Sequence, residues 1–165
     1  MDLRLIEELQ KNGRQTNVEL APKIGVGEAT IRRRLDRLIE AGVIKIIAVP
    51  NLSKVGYGVK AIIALEVELS RISEVAKELS KYREIHYLGQ YVGDCNIAFW
   101  AIFPSPDELG EFIRRDLARI KGINHYTILT EVKLHKRTYD VLPPDASLIP
   151  KRIPQVDRGL HKKRP

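Results

Sequence analysis

Apolar positions in the first 49 residues recur at helical spacing in three consecutive runs. The first run ends at Gly13, and a segment with the spacing of a capping box, Thr16 to Glu19, opens the second. The third extends over residues 28–41. The apolar positions that define these helices are Leu3, Ile6, Leu9, Leu20, Ala21, Ile24, Ile31, Leu35, Leu38 and Ile39. Residues 43–49 are apolar and mostly β-branched, which predicts a short strand after the third helix.

A different pattern begins at residue 59 and follows the order β-α-β-β-α-β. The first strand alternates between two faces, and Gly93-Asp94 is predicted to form a short hairpin turn. The order matches the split βαβ, or ferredoxin-like, motif, so the fold class is α+β. The predicted elements are strands over residues 59–68, 85–92, 97–103 and 123–139, and helices over residues 72–79 and 106–121.

Composition changes at two points, which divides the chain into four segments. Pro50 to Ser53 interrupts the apolar pattern, and five of the nine prolines lie beyond residue 139. The basic cluster at residues 162–164 is expected to add salt-sensitive affinity for DNA. The predicted segments are a helix-turn-helix domain (1–49), a linker (50–58), a ferredoxin-like domain (59–139) and a Pro-rich basic tail (140–165).

Charge and composition narrow the class of function. The 165 residues include 28 basic and 21 acidic side chains, and the net charge of +7 favours a nucleic-acid partner. The longest apolar run, residues 97–103, is far below the ~20 residues that span a bilayer, so we expect a cytoplasmic protein without a membrane partner. A single cysteine and four histidines without ligand spacing predict no catalytic residue, no metal and no cofactor.

Residues 17–36 have the pattern of a helix-turn-helix, with Ala21 where the helices cross and Gly25 at the turn. On the second helix, guanidinium groups that suit phosphate contacts and bidentate reading of guanine share one face. Arg32 is ranked lower because Glu28 and Asp36 lie four residues on either side of it. The predicted DNA-binding residues are Thr30, Arg33, Arg34 and Arg37, followed by Arg32 and Glu28. A generic helical hairpin with a solvated charged face is the alternative interpretation.

Several stretches together resemble the Lrp/AsnC, or feast/famine, family of transcriptional regulators. In the first domain these are Leu9-Gln10-Lys11-Asn12-Gly13-Arg14, Asn17-Val18-Glu19-Leu20, Thr30-Ile31-Arg32-Arg33-Arg34-Leu35 and Glu40-Ala41-Gly42-Val43-Ile44. In the second domain, Val55-Gly56-Tyr57 resembles the family's hinge and Gly93-Asp94-Cys95-Asn96 its Gly-Asp-x-Asp loop. The resemblance covers residues 2–139. Gly27 stands where the family usually has a serine N-cap, and Asn96 replaces the usual aspartate.

The resemblance implies a sequence-specific transcriptional regulator with a winged-helix-like domain that binds double-stranded DNA. It implies homodimers formed through the sheets of the second domain, with further assembly to tetramers or octamers. It also implies a small effector, usually an amino acid, at Gly93, Asp94, Cys95 and Asn96. Because Asn96 is neutral where the family has a second charge, we favour a neutral amino acid.

Three alternatives remain open at this point. The first is an enzyme, because sirohaem decarboxylases have a similar two-domain architecture in which the helix-turn-helix does not bind DNA. An architectural protein would instead wrap DNA with little choice of sequence. The third is that Gly93-Asp94 binds no effector and only forms the hairpin turn between the two predicted strands on either side of it.

Overall fold

The chain divides into two units, with boundaries after residues 48 and 135. The computed structural model describes residues 1–139, 141, 142 and 149. Of these, residues 1–48 and those after residue 135 belong to the first unit, and Val49–His135 forms the second. The predicted linker lies in the second unit and contains one 3-10 turn, Leu52–Val55. The predicted tail lies outside the described residues, apart from residues 141, 142 and 149.

Three helices form the first unit, as the apolar spacing predicts: α1 (Asp2–Lys11), α2 (Asn17–Ile24) and α3 (Glu28–Glu40). The predicted capping box is present, since the Thr16 hydroxyl accepts from the Glu19 N–H and the Glu19 carboxylate accepts from the Thr16 N–H at 2.7 Å. Gly25 ends α2 at φ +82°, a left-handed conformation that glycine adopts without strain. The core comprises Leu5, Ile6, Leu20, Ile24, Ile31, Leu38 and Ile149.

The predicted strand over residues 43–49 is wrong. The N–H groups of Val43 and Ile44 both donate to the carbonyl of Leu38, which closes the end of α3. The side chains of Val43 and Ile44 then pack on the core, whereas Ile46 and Ile47 are exposed. A strand needs a neighbour to pair its backbone groups, and no described strand lies beside this segment.

The second unit has the predicted ferredoxin-like order. Its elements are β1 (Val59–Val67), α4 (Ile72–Leu79), β2 (Ile85–Gln90), β3 (Ile97–Phe103), α5 (Pro106–Glu111) and β4 (Ile123–Thr130). The four-stranded sheet has the order β2-β3-β1-β4, and every neighbouring pair is antiparallel. A π turn (Phe112–Asp116) and a 3-10 turn (Leu117–Arg119) prolong α5.

One face of the sheet is covered and the other is open. Alternate positions of β1 are buried from Val59 to Val67, in one core with side chains of α4, β3 and Phe112. The opposite face carries a row of side chains that are paired across all four strands. We call this row the open-face row; its members are Tyr87, Trp100, Ile62 and Leu129. Three of the four are exposed, and Trp100 is half-buried.

Two strands are shorter than predicted by two residues or more, and β1 by a single residue. β4 ends at Thr130 instead of continuing to residue 139, because its partner β1 begins at Val59 and the Glu131 N–H makes a last bond to Lys60 O at 2.8 Å. β2 ends at Gln90, which pairs with Ile97. The connection between β2 and β3 therefore spans residues 91–96 and is not a turn at Gly93-Asp94 alone. The Tyr91 N–H donates to Asn96 O at 2.9 Å and closes this loop.

Asn96 holds the loop to the centre of the sheet. It is 8% exposed and is the one buried polar residue in the described part of the chain. Its side-chain oxygen accepts from the Val67 N–H at 2.8 Å, and its amide nitrogen donates to Val67 O at 2.6 Å. Its own N–H donates to Leu65 O at 3.0 Å. Asn96 thus extends the pairing of β3 with β1 by one further position.

Asn96→Ala should lower the free energy of unfolding by about 2–3 kcal/mol, because it leaves a buried N–H and a buried carbonyl of Val67 without partners. Urea denaturation followed by the fluorescence of Trp100, the single tryptophan, measures the change. Cys95→Ala, at the half-buried neighbouring position, serves as the control. Equal stability of the Asn96 variant and the wild type would contradict this role.

Candidate nucleic-acid interface and effector loop

The orientation of α3 is fixed by its apolar face. Ile31 and Leu38, seven residues apart, are completely buried against the other helices of the unit. At 100° per residue, Ala29 and Glu40 lie within about 10° of the direction opposite them, and Arg33 lies about 30° from it, closer than the other arginines of α3. The side chains of α3 that are exposed to solvent include Glu28, Ala29, Arg32, Arg33, Asp36 and Glu40.

The arginines of α3 fall into three environments. Arg32 is exposed and its Nη2 lies 3.0 Å from Oε1 of Glu28, which is the ion pair that the spacing predicts. Arg33 is also exposed, and its side chain has no ion pair or hydrogen bond with any described residue. Arg34 and Arg37 are only 27% and 28% exposed. The four side chains are therefore unequal in their freedom to meet a ligand.

Asp2, in the first turn of α1, binds both of the half-buried arginines. Its Oδ1 accepts from Nη1 of Arg34 at 2.7 Å, and its Oδ2 accepts from Nη2 of Arg37. The Nε atoms of both arginines are buried and have no hydrogen-bond partner among the described residues. This ion-pair cluster joins α1 to α3. Sequence analysis missed Asp2 because it lies more than thirty residues before its partners and outside the periodicity of α3.

The predicted effector loop separates into an exposed tip and a buried base. Gly93 and Asp94 are exposed, and Gly93 has φ +145°, in the region that favours glycine. The carboxylate of Asp94 has no partner within the part of the chain that the structure describes. Cys95 is half-buried, and Asn96 is committed to Val67. The loop thus places Gly93 and Asp94 at its tip and keeps Asn96 in the interior.

Two tyrosines that sequence analysis did not select belong to the loop and to the strand before it. The Tyr91 hydroxyl donates to the Tyr87 hydroxyl at 3.3 Å, and both side chains are exposed. This hydrogen bond stabilises the protonated phenol and raises the pKa of Tyr91. Gly89 lies under the Tyr91 ring, where an added Cβ would come within 3.0 Å of it. The absence of a side chain at Gly89 therefore lets the Tyr91 ring lie close to β2.

Two further observations concern metal ions and membranes. The described residues contain no cluster of three or more His, Cys, Asp or Glu side chains placed to hold a metal ion. No helix of that part of the chain has the length and apolar character needed to cross a membrane.

A helix-turn-helix unit followed by a ferredoxin-like unit defines a two-domain DNA-binding regulator. Models of two protein families match the two parts. Residues 1–45 match winged helix-turn-helix DNA-binding domains, and residues 60–141 match the Lrp/AsnC ligand-binding domain. An HTH-type transcriptional regulator of Pyrococcus furiosus is 37% identical over 136 residues, which cover 81% of this chain and 92% of the relative. The chain belongs to the Lrp/AsnC family and is a helix-turn-helix transcriptional regulator with a ligand-binding domain.

Other relatives and solved structures agree. The HTH-type transcriptional regulator FL11 of Pyrococcus furiosus is 34% identical, over 86% of this chain and 93% of its own length. AsnC of Escherichia coli has the same fold at 22% identity, with a TM-score of 0.77 over 82% of this chain and 93% of that one. A transcriptional regulator of Neisseria meningitidis, solved with L-Met, has a TM-score of 0.79 at 24% identity, over 85% and 93%. These findings support neither the decarboxylase nor the DNA-wrapping alternative.

Proposed function

We propose that α3 is the recognition helix and that Arg33 makes its principal DNA contact. The observation that carries this proposal is the position of Arg33, which is exposed, unpaired among the described residues and the arginine of α3 that lies farthest from the buried Ile31 and Leu38. A guanidinium so placed meets either a phosphate or the O6 and N7 atoms of guanine without first breaking an ion pair. Arg32, which is exposed, and Thr30, which is half-buried, lie on either side of Arg33 on α3. Because the target is DNA, we place the protein in the cytoplasm.

In this proposal, Arg34 and Arg37 position α3 and are not its principal DNA contacts. The single carboxylate of Asp2 neutralises half of their combined charge and fixes them at the contact of α1 with α3. They therefore set the position of α3, and the positive charge that remains attracts the DNA backbone more weakly. The ranking from sequence, in which Arg33, Arg34 and Arg37 are equal and Arg32 is lower, becomes one in which Arg33 stands first.

Arg33→Ala should weaken binding to an operator selected from random duplexes by about 5- to 150-fold, the range expected for ~1–3 kcal/mol at a base contact. Arg32→Ala should weaken it less, since Glu28 already pairs with that guanidinium. Arg14→Ala, an exposed arginine outside α3, is the control for loss of one charge. Fluorescence-anisotropy titrations measure all three.

Equal losses for Arg32→Ala and Arg33→Ala would contradict the assignment of Arg33. Arg34→Ala and Asp2→Ala separate position from contact, because both should lower the melting temperature. If Arg34→Ala weakens DNA binding while the melting temperature stays unchanged, Arg34 contacts DNA directly and its positioning role is wrong.

We propose further that two copies associate through the open-face row. Ile62 is 49% exposed although it lies at the centre of a sheet, and Leu129 beside it is also exposed. A continuous apolar row of this kind is normally covered by a partner surface. A two-fold dimer would present two recognition helices to half-sites about 10 base pairs apart, or a multiple of that spacing.

Ile62→Asp should convert the dimer to a monomer, because the dimer would bury two unpaired carboxylates at its centre. Light scattering of the purified protein measures the mass. Val18→Asp places the same charge on an exposed valine of α2 and should leave the dimer intact. A dimer that survives Ile62→Asp excludes this face as the interface.

For the effector, we propose that a neutral amino acid binds at the tip of the loop, at Gly93 and Asp94. The unpaired carboxylate of Asp94 suits an ammonium group, and the N–H groups around Gly93 suit a carboxylate. Since Asn96 is engaged in the sheet, Asp94 supplies the one charged side chain of the loop, which favours ligands without a second positive charge. The match to a ligand-binding domain and the L-Met in the related Neisseria structure support an amino acid.

Calorimetry against the twenty amino acids should detect binding of a neutral one, and Asp94→Ala should abolish it by removing the partner of the ammonium group. Asp94→Asn keeps the shape of the side chain and isolates its charge, so it should also lose affinity. Circular dichroism and light scattering check that each variant stays folded and associated. Undiminished binding by a folded Asp94→Ala variant would mean that the loop is only a turn.

A further inference from the structure

A cavity of about 630 Å³ lies within the second unit, at the end of the sheet away from the loop that carries Asp94. That loop precedes β3, whereas the cavity is lined by the last residues of β3 and by the beginning of β2. Because β3 has seven residues, its two ends are roughly 20 Å apart. Small-molecule sites typically have volumes of about 300–1,000 Å³. The cavity is therefore separate from the effector loop and large enough for a ligand of its own.

Aromatic side chains of the core contribute to the lining of this cavity. Phe112 is 4% exposed, and its ring lies 5.3 Å from that of Tyr82 and 5.4 Å from that of Phe103, measured between centroids. Tyr82 is half-buried, and burial together with the nearby charge of Asp116 raises the pKa of its phenol. The phenol is therefore protonated at neutral pH. These rings offer an apolar surface to the body of an organic ligand.

The π turn that follows α5 brings a carboxylate to the same cavity. The Leu117 N–H donates to the carbonyls of Phe112 and Ile113, so the helix is widened at this point. Phe112 and Asp116, four residues apart in this turn, both line the cavity. Turns of this kind are rare and occur frequently at functional sites. Asp116 is half-buried, and its carboxylate has no ion pair or hydrogen bond with any described residue.

The balance of charge around the cavity favours a cationic group on the ligand. Four carboxylates and two guanidinium groups are among the lining residues. Glu111 is already paired with Arg114 at 2.6 Å, whereas Glu108 and Asp116 are unpaired within the described part of the chain. The charged residues of the lining are Arg83, Glu84, Glu108, Glu111, Arg115 and Asp116.

We propose that this cavity binds a small molecule that carries a primary ammonium group on an apolar body. The ammonium group pairs with Asp116, and the body packs against Phe112 and Tyr82, whose rings also attract a cation. A carboxylate on the same ligand would meet Arg115, which has no ion pair among the described residues. The ligand is therefore an amine or an amino acid, and both share the ammonium group that Asp116 recognises.

The linker forms another side of the cavity and should respond to the ligand. Residues 55–57 belong to the lining, and the Gly58 N–H donates to Pro104 O at 3.1 Å. A Cβ at Gly58 would come within 2.9 Å of that oxygen, so glycine permits this close approach to the end of β3. A bound ligand should slow hydrogen exchange about threefold or more in residues 52–57 and in residues 112–117.

Calorimetry tests the proposal with two probes, 2-phenylethylamine and L-phenylalanine. The titrations use the full chain with Asp94→Ala, so that the proposed effector site does not contribute to the signal. At least one probe should bind, and its analogue without the ammonium group, 2-phenylethanol or 3-phenylpropionate, should bind at least about tenfold more weakly. Binding of 2-phenylethylamine identifies an amine as sufficient, whereas binding of L-phenylalanine alone identifies an amino acid.

Asp116→Asn should weaken binding at least about tenfold, because it removes the charge and keeps the shape of the side chain. Asp107→Asn is the matched control, since Asp107 is an exposed carboxylate of α5 that does not line the cavity. Circular dichroism checks the fold of both variants, and the comparison of each probe with its analogue decides the question if Asp116→Asn is unfolded.

Three results would overturn the proposal. The first is that neither probe binds, and the second is that folded Asp116→Asn binds as tightly as Asp107→Asn. The third is a bound probe that slows hydrogen exchange only outside residues 52–57 and 112–117.

Discussion

The burial of Ile31 and Leu38 is the contact on which the DNA-binding unit depends. These two side chains fix the rotation of α3 about its own axis, and that rotation decides which polar residues face solvent. A helix with four arginines could offer any of them to DNA if it were free to turn. Packing leaves Arg33 as the outermost of the four arginines and directs Arg34 and Arg37 toward Asp2, so an apolar contact determines which charges are available.

The Asp2 cluster shows why the charge of a helix face is not a measure of its DNA affinity. Desolvation of two guanidinium groups is costly unless a carboxylate compensates, and here one carboxylate serves both. The helix therefore gains a fixed position at the cost of part of its attraction for phosphate. Arg33 has the reverse balance, since it is hydrated, unpaired among the described residues and able to exchange water for a base or a phosphate.

Sequence patterns that extend over only a few residues were sufficient to predict the helices of the first unit and the order of elements in the second. Capping at Thr16, the glycine at the end of α2 and the alternation of β1 are local signals, and each appears as expected. Contacts distant in sequence could not be predicted in the same way. The strand expected at residues 43–49 has no described neighbour to pair with, and β4 stops where β1 begins. Asp2 binds arginines of α3 and Ile149 packs in the core of the first unit, and neither contact is indicated by the periodicity of the sequence.

The loop after β2 depends both on a local sequence pattern and on a contact between residues distant in sequence. Its sequence indicated a turn with an acidic side chain, and the structure adds that the turn is held at its base by Asn96, whose amide replaces a strand neighbour for Val67. An aspartate at this position could accept from the Val67 N–H but could not donate to the Val67 carbonyl when ionised. The neutral side chain of Asn96 therefore satisfies both backbone groups of Val67, and the charge that a ligand could use is left to Asp94 at the exposed tip. The asparagine that stands in place of the family's usual aspartate thus affects ligand choice only indirectly, because its side chain is bound to Val67 in the interior.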